Sequence, residues 1–221
     1  KLLATARSAG KPITLKGKTY TIEELTAHSF KGVDIALFSA GGSISKQFAP
    51  AAVDAGAVVV DNSSAFRMTE GVPLIVPEVN PGAMEHIEVG VKGKAGIIAN
   101  PNCSTIIMNV PVWPLHKAAT VKRCVVSTYQ AASGAGAQAM AELEEQARQW
   151  ARGETITSEI FKRQYIWNLF SHNSKIDVAT GYNEEETKML KETRKIFGDP
   201  SIRVTATCVR VPVLRADCES V

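Results

Sequence analysis

The sequence predicts an α/β protein in two parts: a doubly wound parallel sheet, then an α+β half built on longer alternating strands. Three observations carry this. Short apolar runs at Val33–Phe38, Ala57–Val60 and Ala95–Ala99 have the length and composition of buried parallel strands, and each ends in a polar or glycine-rich turn. The first two are joined by a helical segment, which is the rhythm of a βαβ unit. Beyond Cys103 the texture changes to alternating strands and amphipathic helices. At 221 residues the chain is long enough for a substantial core or two modest ones.

In chain order, Leu2–Lys11 reads as a short polar turn after an apolar start. Ile13–Ile22 alternates around Gly17-Lys18 and reads as a hairpin. Val33–Phe38 is expected as a buried strand ending in Ser39-Ala-Gly-Gly-Ser43. A helix through Phe48–Val53 follows, with Pro50 placed in its first turn and Gly56 closing it. Ala57–Val60 is the next strand, ending in Asp61-Asn-Ser-Ser64, and Ala95–Ala99 the one after. Ile106–Leu115 reads as a buried helix. Val121–Tyr129 alternates as a half-buried strand, and an amphipathic helix over Gln138–Arg152 ends at Gly153. Residues 154–182 are irregular with aromatic clusters, and Asn183 caps a helix that Gly198 stops after Phe197. Ile202–Val211 alternates cleanly, and Val213–Val221 is expected to continue antiparallel, leaving an open sheet face for a partner subunit.

Composition excludes several classes. Hydrophobic content of 45% and charged content of 21% are those of a globular protein, and no segment has the apolar length of a membrane span. A net charge of +3 without a basic stripe gives no footprint for nucleic acid. The four cysteines, Cys103, Cys124, Cys208 and Cys218, lack paired metal-type spacing and read as reduced thiols of an intracellular protein, with no metal site.

One stretch organises the chemistry: Asn100-Pro-Asn-Cys103-Ser-Thr105 lies between a strand and a helix. Asn102 is placed as N-cap, and Cys103 meets the positive end of the helix dipole, which favours thiolate. A thiolate at the carboxyl end of a parallel sheet is placed for covalent catalysis; a buried structural cysteine is the bland alternative. The Ser39–Ser43 turn, with Gly41 and Gly42, could set backbone N–H groups against a cofactor phosphate, although no full G-x-G-x-x-G occurs.

Eight motifs in order resemble one family, aspartate-semialdehyde dehydrogenase, nearest its bacterial and plastid branch. They are Ala6–Lys11, Phe38–Ser43, Asp61–Met68, Val76–Asn80, Asn100–Thr105, Tyr129–Gly136, Asn183–Met189 and Cys208–Ala216. The resemblance implies an incomplete Rossmann-type NADP-binding domain over residues 1–101, followed at 102–221 by a catalytic and dimerisation domain with a mixed, mostly antiparallel sheet. It implies reduction of aspartyl phosphate by NADP(H) to aspartate semialdehyde with release of phosphate, on the route to lysine, methionine, threonine and isoleucine. Cys103 would form the thioester, Gln130 orient the substrate carbonyl and Arg210 grip the α-carboxylate. Glu185 and Lys188, three apart on one helix, would serve the substrate ammonium and phosphate, with Arg67 as a second phosphate clamp and Asn102 beside the substrate. Arg7 and Ser8 resemble the site for the 2′-phosphate of NADP. Gly41, Gly42 and Ser63 would line the cofactor, and Ser133 and Gly134 the nicotinamide. The implied assembly is a homodimer or dimer of dimers, free of nucleic acid and membrane, in the cytoplasm or a plastid stroma.

Two departures stand out. Asp217 occupies the place of the family's acid–base histidine; an anion there should raise the cysteine pKa. His172 could substitute for that base, but a packed or interface histidine is the simpler reading. The first strand with its glycine loop and the closing segment of the cofactor domain are also missing from this sequence, so poor NADP affinity is expected of the 221-residue chain. Two rival functions remain: the related N-acetyl-glutamyl-phosphate reductase, and a catalytically impaired homologue or fragment acting through dimerisation.

Overall fold

The computed structural model describes residues 1–91 and 93–221, which divide into two compact units, Lys1–Pro101 and Asn102–Val221.

In the first unit, β1 (Leu2–Ala4) runs parallel to β3 (Lys18–Glu24), and β2 (Pro12–Leu15) pairs antiparallel on the other side of β3. β1 is the apolar start of the segment, with the expected turn following at Ala6–Ser8; three residues are too few for a periodic strand signal, and pairing with β3 fixes them. The β2–β3 hairpin closes through Lys16 and Gly17, both at positive φ (47° and 76°), the conformation that matches the twist of the flanking strands.

A second, wholly parallel sheet has the order β4–β5–β6, from β4 (Ile35–Phe38), β5 (Val58–Asp61) and β6 (Ile97–Ala99). Its core sets Phe30, Ala36, Phe38 and Val59 against Ala49 and Ala52 of α1 (Gly42–Asp54), whose small side chains let the helix lie close. Two expectations need correction. β4 is not buried on both faces: Ala36 and Phe38 point into the core, whereas Leu37 is 79% exposed beside an apolar cavity of about 550 Å³ shared with β1. Pro50 is not in the first turn of α1, because the helix starts directly after Gly41, eight residues earlier than Pro50. Pro50 and Lys46, whose carbonyl loses its helical donor, both face outward where water can replace the bond.

In the second unit, β7 (Arg123–Gln130) and β9 (Arg203–Arg210) form an eight-residue parallel ladder from Arg123↔Arg203 to Gln130↔Arg210. β8 (Phe170–Ser171) and β10 (Cys218–Ser220) flank it antiparallel, giving the order β10–β7–β9–β8. The sheet is mixed, with its longest ladder parallel. The terminal segment runs antiparallel as expected, with β7 as its partner.

Three helices complete the unit. α2 (Cys103–Ala119) and α4 (Glu184–Phe197) pack together, and α4 lies on β9. α2 is buried on one side only: Ser104, Thr105, Met108, Asn109 and Val112 face inward, and the apolar Ile107, Val110 and Leu115 outward. Its interior Pro111 and Pro114 lie on the outward side, as do Ile107 and Val110, whose carbonyls they leave unbonded within the helix. α3 (Ala137–Ala151) anchors the irregular segment that follows it. Its Glu142 accepts from the N–H groups of Glu159 and Ile160, and its Gln146 from those of Tyr165 and Ile166, over a core of Leu143, Phe161, Tyr165 and Phe170.

Candidate active site

The inward face of the β7–β9 ladder is apolar at its start and polar at its end. Cys124, Val126, Thr128 and Gln130 share that face of β7, and Val204, Ala206, Cys208 and Arg210 that of β9. Register therefore sets Gln130 level with Arg210 at the carboxyl ends of two parallel strands, and continuing the β10 pairing brings Asp217 level with Gln130.

α2 begins beside this row. The Asn102 side-chain carbonyl accepts from the N–H groups of Ser104 (3.1 Å) and Thr105 (3.3 Å), the N-cap expected from sequence. Its amide donates to Glu185 (2.7 Å) and its backbone N–H to Glu192 (2.7 Å). A capping asparagine thus serves as a junction, because both faces of its amide are used.

Glu185 is the hub. It is only 4% exposed and accepts from Asn102 and from Gln130 (3.1 Å) on one oxygen and from Lys188 (3.1 Å) on the other. Burial raises its pKa, but Lys188, His172 and the hydrogen bonds outweigh burial, and the carboxyl is held below the usual range. Glu185 and Lys188 are therefore not a solvated surface pair. Gln130 is oriented from its other end by the Thr128 hydroxyl (2.9 Å). The start of α4 is fixed by a capping box, in which Asn183 caps Glu186 and the Glu186 carboxylate returns to the Asn183 N–H (2.9 Å).

Arg210 is 3% exposed. Its Nε–H donates to Asn173 (3.1 Å), one Nη1–H to the carbonyl of Ala131 (2.7 Å) and one Nη2–H to His172 Nε2 (2.8 Å). Gly134 packs against it: a Cβ there would lie 3.1 Å from Nη1. Ser133, beside Gly134, donates its backbone N–H to Leu214 O (3.0 Å). Of the five guanidinium hydrogens, two remain, the number that the two oxygens of one carboxylate require.

Cys103 is exposed, and its thiol donates to Asp217 Oδ2 at 3.7 Å, while Asp217 Oδ1 accepts the Ala131 N–H (2.7 Å). Packing around the sulfur raises its pKa first, then the Glu185 and Asp217 carboxylates do; the N–H and hydroxyl of Ser104 pull it down but lose. The expected preference for thiolate at this helix start is therefore reversed in this state, and the anion at position 217 contributes as the sequence indicated. Glu219, two residues on, has both carboxyl oxygens buried without a partner; burial and then Asp217 push its pKa up to about 8. His172 is half-buried with both ring nitrogens engaged, a packed histidine as anticipated.

The remaining candidates lie in the first unit. Arg67 donates to the carbonyls of Asn100 (2.9 Å) and Asn62 (3.2 Å). Ser63 donates to Asp61 (2.8 Å), as does Ser45 of α1 (2.7 Å), which ties the end of β5 to the helix. Gly41 precedes α1 at φ 92° with no side-chain cap on the first turn, whereas a Cβ at Gly42 would make only an ordinary 3.9 Å contact. Arg7, exposed, and Ser8 lie in a single 3-10 turn directly after β1.

Sequence reasoning overlooked Glu192, Thr128, Asn173 and Ser174. Glu192 had a signal: it lies seven residues after Glu185 on the same face of α4 as Met189, a position otherwise apolar. Asn173 and Ser174 had none, since they follow a two-residue strand that only pairing defines.

Residues 1–87 match the family model described as semialdehyde dehydrogenase, NAD binding domain, and residues 112–221 that described as semialdehyde dehydrogenase, dimerisation domain. An aspartate-semialdehyde dehydrogenase of Synechocystis sp. is 53% identical over 221 residues, covering 100% of this chain and 63% of that protein. Another, from Vibrio mimicus, is 43% identical over 220 residues, covering 100% of this chain and 68% of that one. The crystal structure of aspartate semialdehyde dehydrogenase II complexed with ASA from Vibrio cholerae matches with a TM-score of 0.91 at 43% identity, over 99% of this chain and 63% of that chain. The chain thus spans about 63% of the length of the Synechocystis relative. With 43% identity to the Vibrio mimicus relative over 68% of its length and the full chain aligned, the chain belongs to the aspartate-semialdehyde dehydrogenase family.

Proposed function

We propose that this chain carries the substrate site for NADPH-dependent reductive dephosphorylation of L-aspartyl 4-phosphate to L-aspartate 4-semialdehyde. The observation that carries the reading is the junction at Asn102, which ties the turn bearing Cys103 to Glu185 and through it to Gln130 and Lys188. The Cys103 thiolate attacks the acyl carbon, the carbon–oxygen bond to phosphate breaks, and phosphate leaves with Lys188 as its counter-charge; Arg67 of the first unit is proposed as a phosphate ligand on the family resemblance alone. Bound NADPH supplies a hydride to the resulting thioester. The thiohemiacetal on Cys103 then collapses to aldehyde and thiolate, with Gln130 oriented toward the carbonyl oxygen. Arg210 takes the α-carboxylate with its two remaining N–H groups, and Glu185 takes the α-ammonium, the group that an N-acetylated substrate lacks.

The first unit suits a dinucleotide: α1 opens at the carboxyl end of β4 with its first-turn N–H groups uncapped by any side chain, and the Arg7 guanidinium follows β1. Arg7 and Ser8 favour NADP over NAD. The outward face of the second unit's sheet, with Val125 and Tyr129 exposed, is the surface for a second copy in a homodimer or dimer of dimers.

A specific observation favours a second reading, an impaired homologue. Asp217 can accept the thiol proton, but a carboxylate is a weak base beside a thiol whose ionisation burial and the Glu185 and Asp217 carboxylates disfavour. The deciding experiment is the phosphate-dependent oxidation of L-aspartate 4-semialdehyde by the full-length protein carrying this sequence, followed as NADPH formation with and without alkylation of Cys103. Turnover abolished by alkylation supports the enzyme; turnover that persists after alkylation refutes it. Negligible turnover with intact dimerisation selects the second reading.

A further inference from the structure

The two residues after β8 have no place in the chemistry just described, yet they are built into it. β8 is only two residues long, and its pairing Phe170↔Arg210, continued by the His172 N–H to Cys208 O bond (2.8 Å), delivers His172 and Asn173 to the Arg210 guanidinium. The hydrogen-bond chemistry fixes the histidine's form. Arginine has donors only, so His172 Nε2, at 2.8 Å from Arg210 Nη2, must accept and carries no proton. A neutral ring with Nε2 accepting holds its proton on Nδ1, 3.0 Å from Ser174 Oγ, which then accepts it; the Ser174 backbone N–H, 3.2 Å from the same nitrogen, finds no acceptor there in that tautomer. The Ser174 hydroxyl in turn accepts the backbone N–H of Glu185 (3.3 Å).

We propose that His172 is a positioning residue for substrate recognition: as a neutral acceptor it fixes the rotation of Arg210, and through Ser174 it sets that carboxylate grip in register with the ammonium grip of Glu185. This inference rests on the substrate assignment above. Its logic is one of counting. Asn173 holds Nε and Ala131 holds Nη1 of the rigid, planar guanidinium; the histidine adds a third anchor on Nη2, which resists tilting of the plane and leaves one hydrogen on each terminal nitrogen for the two carboxylate oxygens. The surroundings keep the ring neutral. Burial lowers its pKa first, Glu185 opposes, and Arg210 and Lys188 lower it further, to about 4.

The test compares His172→Leu, which removes the acceptor, with His172→Gln, whose side-chain oxygen restores one at every pH. In the full-length protein, His172→Leu should raise KM for L-aspartate 4-semialdehyde about tenfold or more, the scale of one hydrogen bond to a charged group. It should leave kcat within about threefold, and His172→Gln should recover most of the loss in KM. With 3-aminopropanal, which offers Arg210 no carboxylate, the His172→Leu penalty should vanish. An equal penalty on both substrates, or a fall in kcat at unchanged KM, overturns the inference. Should the wild-type protein not turn over the semialdehyde, the substrate assignment fails by itself. Nitrogen-15 NMR of His172 then decides the arrangement: an unprotonated Nε2 at pH 7 sustains the Arg210 contact and a protonated Nε2 overturns it.

Discussion

Removing the charge of Asp217 should lower the Cys103 pKa, and placing a histidine there should lower it more. The Asp217 carboxylate stands 3.7 Å from the sulfur. Two unit charges at that distance interact by about 1 kcal/mol in water and about 4 kcal/mol at an effective dielectric constant of about 20. Cys103 is exposed by area but desolvated at the sulfur, so its thiolate lies between those limits. Asp217→Asn, which keeps the shape and the Ala131 contact, should therefore shift the thiol down by about one to three pH units. Asp217→His should match that shift when neutral and exceed it when protonated. The assay is the pH dependence of iodoacetamide labelling of Cys103, resolved by peptide mass spectrometry. Cys124 and Cys208 are buried, and burial drives Cys208 up to about 12, so Cys218 is the one other exposed thiol; Cys218→Ser removes it. Superimposable profiles for wild type and Asp217→Asn would refute the electrostatic argument. In the full-length protein, Asp217→His should also raise dehydrogenase turnover, and equal rates would remove residue 217 from the mechanism.

Other outcomes follow from the same site. Asn102→Ala should destabilise the second unit by about 1–3 kcal/mol, through loss of the N-cap and of a donor to buried Glu185. Asn102→Asp, ordinarily an equivalent cap, should be worse, because it sets a second carboxylate 2.7 Å from Glu185; urea melts in which aspartate is tolerated would contradict the junction role. Glu219 has its folded-state pKa raised from 4.5 to about 8, so the folded state binds its proton more tightly. Its contribution is full below pH 4.5 and is lost as pH rises through 8. The shift is a ceiling of about 5 kcal/mol, and partial exposure reduces this to about 2. Glu219→Gln should therefore gain about 2 kcal/mol on wild type between pH 4 and pH 9; a pH-independent difference in denaturation would contradict the burial argument.

Much of this arrangement was legible in the residues. The N-cap at Asn102, the cap and stop of α4 at Asn183 and Gly198, and the pairing of Glu185 with Lys188 follow from local rules of helix ends and helix spacing, which act over a few residues. Strand existence along 123–130 and 203–210 followed from alternation. The errors were those of context. Pro50, Pro111 and Pro114 sit inside helices because their carbonyl partners face outward, a matter of orientation that spacing does not encode.

The amino acids alone offered a cysteine at a helix start, and the family resemblance added Arg210 and Asp217 as candidates beside it. Register and packing decided what those groups are. Only the parallel alignment of β7 with β9 puts Gln130 beside Arg210, and only the crossing of residues 217–220 to β7 brings a second carboxylate to the sulfur. Charge interactions depend on distance and desolvation; Asp217 reaches the sulfur from more than a hundred residues away, and Arg210 reaches His172 from 38 residues away, so the thiol's disfavoured ionisation and the histidine's contact with the guanidinium belong to the tertiary structure.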